Sequence, residues 1–382
     1  MFFTIVLGIW TAMHAYVFWR AASVPVISSH VSRGALAAAA AFLWACYPLA
    51  RMLEHRRLDA LGRPLEFLGA TWMGVLVLAF FTLLALDLVT LGGFLLPRLA
   101  PALRGWALLA AGGLAMVGLV QGLRAPVVVD YEVALPNLPV GRDGTVLVEL
   151  SDMHLGTLIG ERWLTRVVAR VDAMKPDMIV VDGDLIDGNV PRVEPMVPTL
   201  RRLRAPLGVW AVTGNHEFYA GLKRSVKLFE DAGFHVLEDR SGEAAPGLVL
   251  AGVDDLTARR QLGLDGAPVE RALAGRPPGA TIFLSHTPWE ANKAAALGAG
   301  LMLCGHTHDG QIWPFGYLVR LTYPLLGGRY LVDGMPVIVC RGTGTWGPRM
   351  RLWRPSEIVR ITLRTPAAAE AGGRGEREKG KG

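Results

Sequence analysis

The chain has 382 residues, of which 52% are hydrophobic and 19% are charged, and its formal net charge is +6. This apolar fraction excludes an ordinary soluble globular protein and predicts a membrane region joined to a folded domain. The excess of basic over acidic residues favours anionic partners such as phosphates or acidic lipids. The three cysteines lack CxxC spacing, which argues against a thiolate zinc site or a disulfide framework.

Residues 1–125 are predicted to form a membrane region with four transmembrane helices. A helix needs about 20 mostly apolar residues to cross the hydrocarbon core. Core helices of a soluble domain are the alternative, but few polar residues are present to cover their outer faces. A cleaved signal peptide is an alternative for the first segment, which lacks a basic start and a closely following A-x-A site. The segments are Phe2–Trp19, Ala35–Ala50, Phe67–Val89 and Trp106–Val120.

The arginine distribution gives a hypothesis for orientation. The loop Arg51–Glu66 carries four arginines, more than any single loop on the other side of the predicted helices. Because cytoplasmic loops are enriched in Lys and Arg, we expect this loop to be cytoplasmic. Four spans then place the remainder of the chain in the cytoplasm, in an integral protein of the bacterial inner membrane.

Residues 126–365 have the pattern of a globular α/β domain. Helical periodicity predicts helices over 161–174, 193–203 and 223–232. Near-continuous apolar strands indicate a sheet covered on both faces, whereas the polar residues 366–382 predict a disordered tail. The predicted strands are TVLVEL (145–150), MIVVDGD (178–184), GVWAVTGN (208–215), LVLAGV (248–253), TIFLSH (281–286), LMLCGH (301–306), VIVCRG (337–342) and EIVRITL (357–363).

Side chains able to bind metal follow several of these strands. Ligands bind in open α/β sheets at that end of the strands. Residues two apart on an extended chain point the same way, so Asp152 and His154 can share an ion, and His306 with His308 repeats the spacing. The motifs are SDMHLG, DGDLIDG, TGNHEFY, LSHTP and GHTHDGQI, and they hold five of the nine histidines: His154, His216, His286, His306 and His308.

The kind and number of these ligands predict a site for two metal ions. Carboxylate and imidazole ligands without thiolate suit Mn²⁺, Fe²⁺ or Zn²⁺ better than Ca²⁺. The ligands are too many for one ion. Two-metal sites hold their ions about 3.5–4 Å apart and clamp a phosphoryl group.

In this order, D-x-H, GD, GNHE, His286 and GHTH resemble the signature of the calcineurin-like metallophosphoesterases. The wider pattern is similar to the membrane-anchored bacterial branch, which includes transmembrane proteins with a metallophosphoesterase domain and relatives acting on UDP-diacylglucosamine. The resemblance covers about residues 145–365. It implies an α/β fold in which a β-sandwich is flanked by α-helices, an arrangement that the strand patterns alone do not distinguish from a single open sheet.

The resemblance also implies roles for individual residues. His216 would act as the general acid or would stabilise the transition state near the leaving group. Asp182 and Asp187 would support or cap the loop around the bridging carboxylate, and Asp309, which replaces a glycine of the usual GHTHGGQ, is expected to cap a turn rather than approach the phosphate. Asp152, His154 and His308 would hold the first ion, Asn215, His286 and His306 the second, and Asp184 would bridge both.

We therefore expect a membrane-tethered phosphoesterase that hydrolyses a phosphodiester or pyrophosphate bond of a lipid-linked substrate such as UDP-2,3-diacylglucosamine. Hydrolysis of soluble nucleotides or cyclic nucleotides is the alternative, and a non-catalytic scaffold is a third hypothesis. The apolar segment Ile312–Leu326 could touch the bilayer or an acyl chain, or could form a strand and a packed loop. Expected partners are a phosphorylated substrate and membrane lipids, with no nucleic acid. Phosphate contacts or simple solvation are both open for Arg201, Arg202, Arg204, Arg259 and Arg260.

Overall fold

The computed structural model describes residues 2–55, 58–264 and 266–366. The chain divides into two compact units. A helical unit comprises the residues up to Arg124 together with two short later segments, Ile312–Pro314 and Gly347–Trp353, and the other residues form a catalytic unit. Except for Pro366, the predicted disordered tail lies outside the described residues.

The helical unit contains five helices, and each predicted apolar segment falls within one of them. Three stretches of the described residues are long and apolar enough to cross a membrane: Arg33–Glu54, Ala60–Gly93 and Ala100–Leu123. The first helix also has 20 residues. The helices are α1 (Phe2–Ala21), α2 (Pro25–His30), α3 (Arg33–His55), α4 (Asp59–Thr90) and α5 (Ala100–Leu123).

The late segment Gly347–Trp353 forms part of the core of the helical unit. Met350 and Leu352 are fully buried in an apolar cluster with Leu76 and Leu83 of α4. The backbone N–H of Arg351 donates to the carbonyl of Gly118 in α5 at 2.8 Å. A segment distant in sequence therefore fills space between the apolar helices.

The catalytic unit contains two six-stranded sheets, in the orders β1-β12-β2-β3-β4-β5 and β10-β11-β9-β8-β7-β6. Every strand predicted from the sequence is present, and β1, β5, β6 and β10 are additional. The strands are β1 (Val127–Ala134), β2 (Val146–Leu150), β3 (Met178–Asp182), β4 (Val209–Val212), β5 (His235–Val236), β6 (Arg240–Ala245), β7 (Leu248–Gly252), β8 (Ala280–Leu284), β9 (Leu301–Cys304), β10 (Gly328–Val332), β11 (Met335–Val339) and β12 (Glu357–Arg364).

The two sheets form a sandwich with helices on its outer faces. Leu147 and Val180 of the first sheet share one apolar cluster with Leu250, Ile282 and Leu303 of the second. The alternate residues of each sheet pack in separate outer clusters. The β-sandwich implied by the family resemblance is thus present, whereas a single covered sheet is not.

The predicted helices over 161–174 and 223–232 fall on the observed helices Glu161–Ala173 and Asn215–Asp231, whereas prolines interrupt the third prediction. The predicted helix 193–203 is divided into α7, a 3₁₀ turn and α8, because Pro191, Pro195 and Pro198 each start a new short element. The bounds are α6 (Glu161–Ala173), α7 (Val190–Val193), α8 (Val197–Leu200), α9 (Asn215–Asp231), α10 (Leu256–Leu262), α11 (Pro268–Leu273), α12 (Ala291–Ala296) and α13 (Gly316–Val319).

Candidate metal centre

The candidate ligands lie on loops that leave the same end of parallel strands. Strands β2, β3 and β4 are parallel neighbours, as are β8 and β9 in the other sheet. The loops after these five strands carry all the metal-capable motifs identified in the sequence. Parallel pairing therefore explains why residues up to 156 positions apart, from Asp152 to His308, meet at one edge.

The ligand loops are not extended, as the spacing argument assumed. Asp152 and His154 have φ values of +52° and +47°, and Asp184, His306 and His308 also have positive φ. Left-handed backbone is uncommon for residues with a side chain and is concentrated at functional sites. The shared direction of Asp152 and His154 thus comes from a tight left-handed loop and not from strand alternation.

The first group of potential ligands is Asp152, His154 and His308, whose ligand atoms all lie within 4.8 Å of one another. Nε2 of His154 lies 3.1 Å from Nε2 of His308, and this second nitrogen is 3.2 Å from Oδ1 of Asp152. All three side chains are buried. Two imidazole nitrogens and a carboxylate oxygen that converge in this way are suited to share a cation.

The second group is Asp184, His286 and His306, again with ligand atoms within 4.8 Å. Nε2 of His286 lies 3.1 Å from Oδ2 of Asp184, and this oxygen is 3.9 Å from Nε2 of His154 in the first group. Asp184 thus faces both groups. Its other oxygen accepts a hydrogen bond of 2.8 Å from the backbone N–H of His216, which fixes the orientation of the carboxylate.

Asn215 supplies a test of whether these residues fit metal ions. Its Oδ1 atom is buried and has no hydrogen-bond partner. An unsatisfied buried carbonyl is costly in a folded protein. A divalent ion held by Asn215 with His286 and His306 would satisfy it, so the donor set fits the two-ion site expected from the sequence.

Metal binding requires neutral imidazole and ionised carboxylate, and four of the ligands are in those states. The exception is His286: burial lowers its pKa, but Asp184 and Asp152 outweigh that effect and raise it, so a bound ion would have to displace its proton. Burial lowers the pKa of His154 and of His306 to about 3, so both rings are neutral near pH 7. Burial raises the pKa of Asp152, but His308 and His286 outweigh that effect and lower it below the usual value. Asp184 has a lowered pKa for the same reasons, with His286 the largest opposing cause.

His216 lies beside the ligands and faces Asp187, the last acidic residue of the DGDLIDG motif. Its Nδ1 atom is 3.2 Å from Oδ1 of Asp187, and its ring centroid is 4.7 Å from that of His154. Burial lowers the pKa of His216, but Asp184 and Asp187 outweigh it and raise the pKa to about 9. The ring is therefore a cation at neutral pH and can give up a proton.

Glu217 holds two ligand loops together. Its fully buried carboxyl accepts hydrogen bonds from the backbone N–H groups of Gly214 at 2.7 Å, Asp184 at 2.9 Å and Ile186 at 3.0 Å. These bonds cap the N-terminus of α9 and also hold the loop after β3. The sequence indicated Glu217 only as part of the GNHE motif, because its partners Asp184 and Ile186 lie about 30 residues away.

Two aromatic residues next to the histidines were not identified from the sequence. The hydroxyl of Tyr323 lies 2.8 Å from Nε2 of His306. The ring of Trp346 meets His216 edge to face at 6.1 Å, and its backbone forms two hydrogen bonds with the side chain of Gln311. Neither residue lies in a recognisable motif, although Gln311 belongs to GHTHDGQI.

Asp309, the departure from the usual motif, is neutralised by an arginine. Its Oδ2 atom lies 3.2 Å from Nη1 of Arg354, and its carboxyl group is largely buried. Its backbone N–H donates to Thr307 at 3.3 Å in the 3₁₀ turn His308–Gly310. Asp309 thus combines a place in the turn with an ion pair.

The arginines considered for phosphate binding have partners within the protein. Arg259 lies 3.1 Å from Asp239, Arg201 donates to the carbonyl of Asp231, and Arg260 lies over the ring of Trp289. Arg204 donates to the carbonyl of Arg201. These contacts account for four of the five residues without a phosphate.

Comparison with known proteins supports the same interpretation. Residues 146–310 match the calcineurin-like phosphoesterase family. The chain is 35% identical over 323 residues to a transmembrane protein with metallophosphoesterase domain from Danio rerio, covering 78% of this chain and 74% of the relative. An uncharacterized metallophosphoesterase from Aquifex aeolicus (strain VF5) is 35% identical over 239 residues, covering 61% and 90%. The Bos taurus transmembrane protein with metallophosphoesterase domain is 35% identical over 281 residues, covering 69% and 62%.

Proposed function

Because the chain belongs to the calcineurin-like phosphoesterase family and is a metal-dependent phosphoesterase, we propose that it is a membrane-tethered hydrolase of a lipid-linked phosphodiester or pyrophosphate. UDP-2,3-diacylglucosamine is an example of such a substrate. The observation that carries the proposal is that one chain holds two neighbouring ligand groups, with Asp184 of the second 3.9 Å from His154 of the first, and three helices able to cross a membrane. A tether of this kind keeps the enzyme at a surface where lipid headgroups are concentrated.

We assign the two ions to the two ligand groups. Asp152, His154 and His308 would hold one ion, while Asn215, His286 and His306 would hold the other. Asp184, which faces both groups, would contact both ions. Bound there, two divalent ions supply Lewis acidity to the phosphoryl oxygens and lower the pKa of water, and Mn²⁺, Fe²⁺ or Zn²⁺ fits the imidazole and carboxylate donors.

His216 performs the proton transfer in this proposal. Its imidazolium, maintained by Asp184 and Asp187, donates a proton to the departing oxygen, so the alcohol or phosphate leaves without a full negative charge. The hydrogen bonds of Glu217 to the backbone hold Asp184 and the loop that carries His216 in fixed relative positions during this step. Water forms the new bond to phosphorus as the bond to the departing oxygen breaks, so no covalent intermediate on a side chain is required.

Orientation is part of the proposal. Arg51 lies in the last part of α3 and Arg63 in the first part of α4. The positive-inside tendency places these helix ends, and with them the catalytic unit, in the cytoplasm of a bacterial cell. A reporter active only outside the cytoplasm, fused after residue 366, should be silent. An active reporter would reverse the orientation.

Hydrolysis of soluble nucleotides or cyclic nucleotides is the second candidate, and a metal-free scaffold is the third. The experiment is a substrate panel on the full-length protein in detergent, with metal content measured on the same sample. We expect higher kcat/KM for lipid-linked pyrophosphates or diesters than for free nucleotides. Preference for nucleotides would favour the second candidate, and a folded protein that carries no metal and has no activity on any substrate would favour the scaffold.

Variants of single histidines control this experiment. His216→Ala should remove most of the activity, whereas His235→Ala, in β5 and outside the site, should retain it. If both variants lose activity equally, the loss comes from folding and not from chemistry. Activity that disappears with a chelator and returns with added Mn²⁺ would link it to the ligand groups.

A further inference from the structure

We propose that residues 315–325, here called the apolar lip, insert into the surface of the lipid bilayer next to the metal centre. The lip contains the short helix α13 and the turn that follows it. No strand forms there, but the end of the lip is a packed loop, in which Tyr323 contacts His306 and Leu325 packs on the apolar cluster outside the second sheet. The proposal concerns a surface of the catalytic unit and does not depend on which phosphate ester the enzyme cleaves.

The lip exposes more large apolar side chains than a folded surface normally leaves in water. Leu321 is 82% exposed, Tyr317 68% and Leu318 48%, and Phe315 is also exposed. Contiguous apolar surface of this kind marks an interaction site. Aromatic and aliphatic residues beside an exposed basic residue, here Arg320, are typical of segments that lie in the interface of a bilayer.

The lip cannot bury these side chains by folding inwards, because its inner side is fixed to the metal-binding loop. A Cβ atom on Gly310 would lie 2.2 Å from the Cα atom of Gly316, so the two backbones are in direct contact. Tyr323 lies 2.8 Å from His306, and the hydroxyl of Thr307 donates to the carbonyl of Leu326. The apolar side chains are consequently held on the outer side.

A lipid bilayer is favoured over a protein partner as the occupant. A stable protein interface uses about 20–30 residues on each side, which is more than the lip contains. Immediately before the lip, Ile312–Pro314 belongs to the helical unit, where Ile312 is buried and Trp313 packs edge to face on Trp353. The chain therefore enters the lip directly from a unit built of apolar, membrane-length helices.

The test uses the full-length protein in lipid nanodiscs. Leu321→Cys can be labelled selectively with an environment-sensitive fluorophore, since Cys46, Cys304 and Cys340 are all buried. Val140→Cys is the matched control, because Val140 is apolar and 86% exposed but precedes β2, at the opposite end of the strands from the ligands. Nanodisc lipids carrying a spin label on the acyl chain serve as the quencher.

We expect the quencher to reduce fluorescence at position 321 by more than half and to leave position 140 unchanged. Equal fluorescence loss at both positions, or none at either, would overturn the proposal. Quenching at 321 that appears only after a lipid-linked substrate is added would also overturn it, since the lip would then bind an acyl chain of the substrate. A second label at Tyr317→Cys guards against a local defect caused by one substitution.

Activity measured on the same samples separates this inference from the proposed function. Quenching at position 321 in a protein that prefers soluble nucleotides would support insertion of the lip into the bilayer and would contradict a lipid-linked substrate. Hydrolysis of a lipid-linked substrate by a protein whose label at position 321 stays exposed to water would support the proposed function and would contradict insertion of the lip into the bilayer.

Discussion

At the scale of single residues, the proposed proton transfer depends on the pairing of His216 with Asp187. The neighbouring carboxylates raise the pKa of His216 to about 9, so the cationic form is present below that pH and is lost as the pH rises through it. Asp187→Asn removes one of the two charges and should lower this pKa. The alkaline limb of the kcat profile should then move to lower pH.

The same substitution should discriminate between leaving groups. We expect Asp187→Asn to reduce kcat by about 10²-fold for an alkyl phosphodiester, whose departing oxygen needs a proton. A nitrophenyl ester, which leaves as a stable anion, should lose much less. Equal losses for both esters, or loss of bound metal, would contradict the assignment of His216 as general acid.

Asp254, unlike His216, is a residue whose environment opposes its charge. Burial raises its pKa to about 6, although the hydroxyl of Thr213 donates to it at 2.7 Å. The folded state binds the proton more tightly than the unfolded state. The protonated carboxyl therefore stabilises the folded state below pH 3.8, the pKa of the unfolded state. This stabilisation is lost as the pH rises from 3.8 to about 6, and it is absent above that pH.

We expect Asp254→Asn to stabilise the protein at pH 8 by roughly 2 kcal/mol, because the amide keeps the acceptor for Thr213 without the buried charge. At pH 4 the gain should be close to zero. Melting temperatures of the detergent-purified protein at both pH values check this. A gain of the same size at both values would indicate a cause other than ionisation.

At the scale of elements, the start of α9 brings the helix backbone against the carboxylate of Asp184. Gly214 and Gly160 occupy the same N-cap position, before α9 and α6, with nearly the same extended conformation. They differ in surroundings. A Cβ on Gly214 would lie 2.2 Å from Oδ1 of Asp184, whereas a Cβ on Gly160 has no neighbour within 4 Å.

Gly214→Ala should therefore displace Asp184 and reduce kcat/KM by about 10²-fold, as expected for a misplacement of about 1 Å in an active site. Gly160→Ala makes the same chemical change at the same cap position and should retain activity. Metal content and activity of the two purified variants provide the comparison. Similar losses in both would show that N-cap propensity, not contact with Asp184, is responsible.

At the scale of the whole molecule, the chain returns to its helical unit twice after leaving it. The segment Gly347–Trp353 packs against α5, where a Cβ on Gly122 would lie 2.5 Å from the carbonyl oxygen of Arg349. A Cβ on Gly113 of the same helix has no neighbour within 4 Å.

Gly122→Ala should consequently lower the melting temperature in detergent, with a cost of about 1–3 kcal/mol from overpacking. Gly113→Ala should leave it unchanged or slightly higher, since alanine favours the helix. The difference between the two variants measures how strongly the late segment is integrated into the helical unit. No difference would mean that the segment is only loosely attached there.

The sequence by itself determined the elements and the chemical types at the site. The apolar runs predicted eight strands, because a strand that is covered on both faces is apolar throughout. The partly exposed strands β1, β5, β6 and β10 were not predicted. The motif from Asp152 to His308 predicted which donor atoms are present, because phosphoryl chemistry with metals needs carboxylate and imidazole. The helix over 193–203 was predicted less well, since its prolines divide it into shorter elements.

Only the tertiary structure decided how these pieces meet. It showed two sheets where the strand patterns allowed one, left-handed loops at Asp152 and His154 where an extended chain was assumed, and Arg354 as the partner of Asp309. It also brought Tyr323 to His306 and Trp346 to His216. Local composition records whether a residue is buried and what it can bind, but contacts between distant segments leave no local periodicity, so they are fixed only when the whole chain packs.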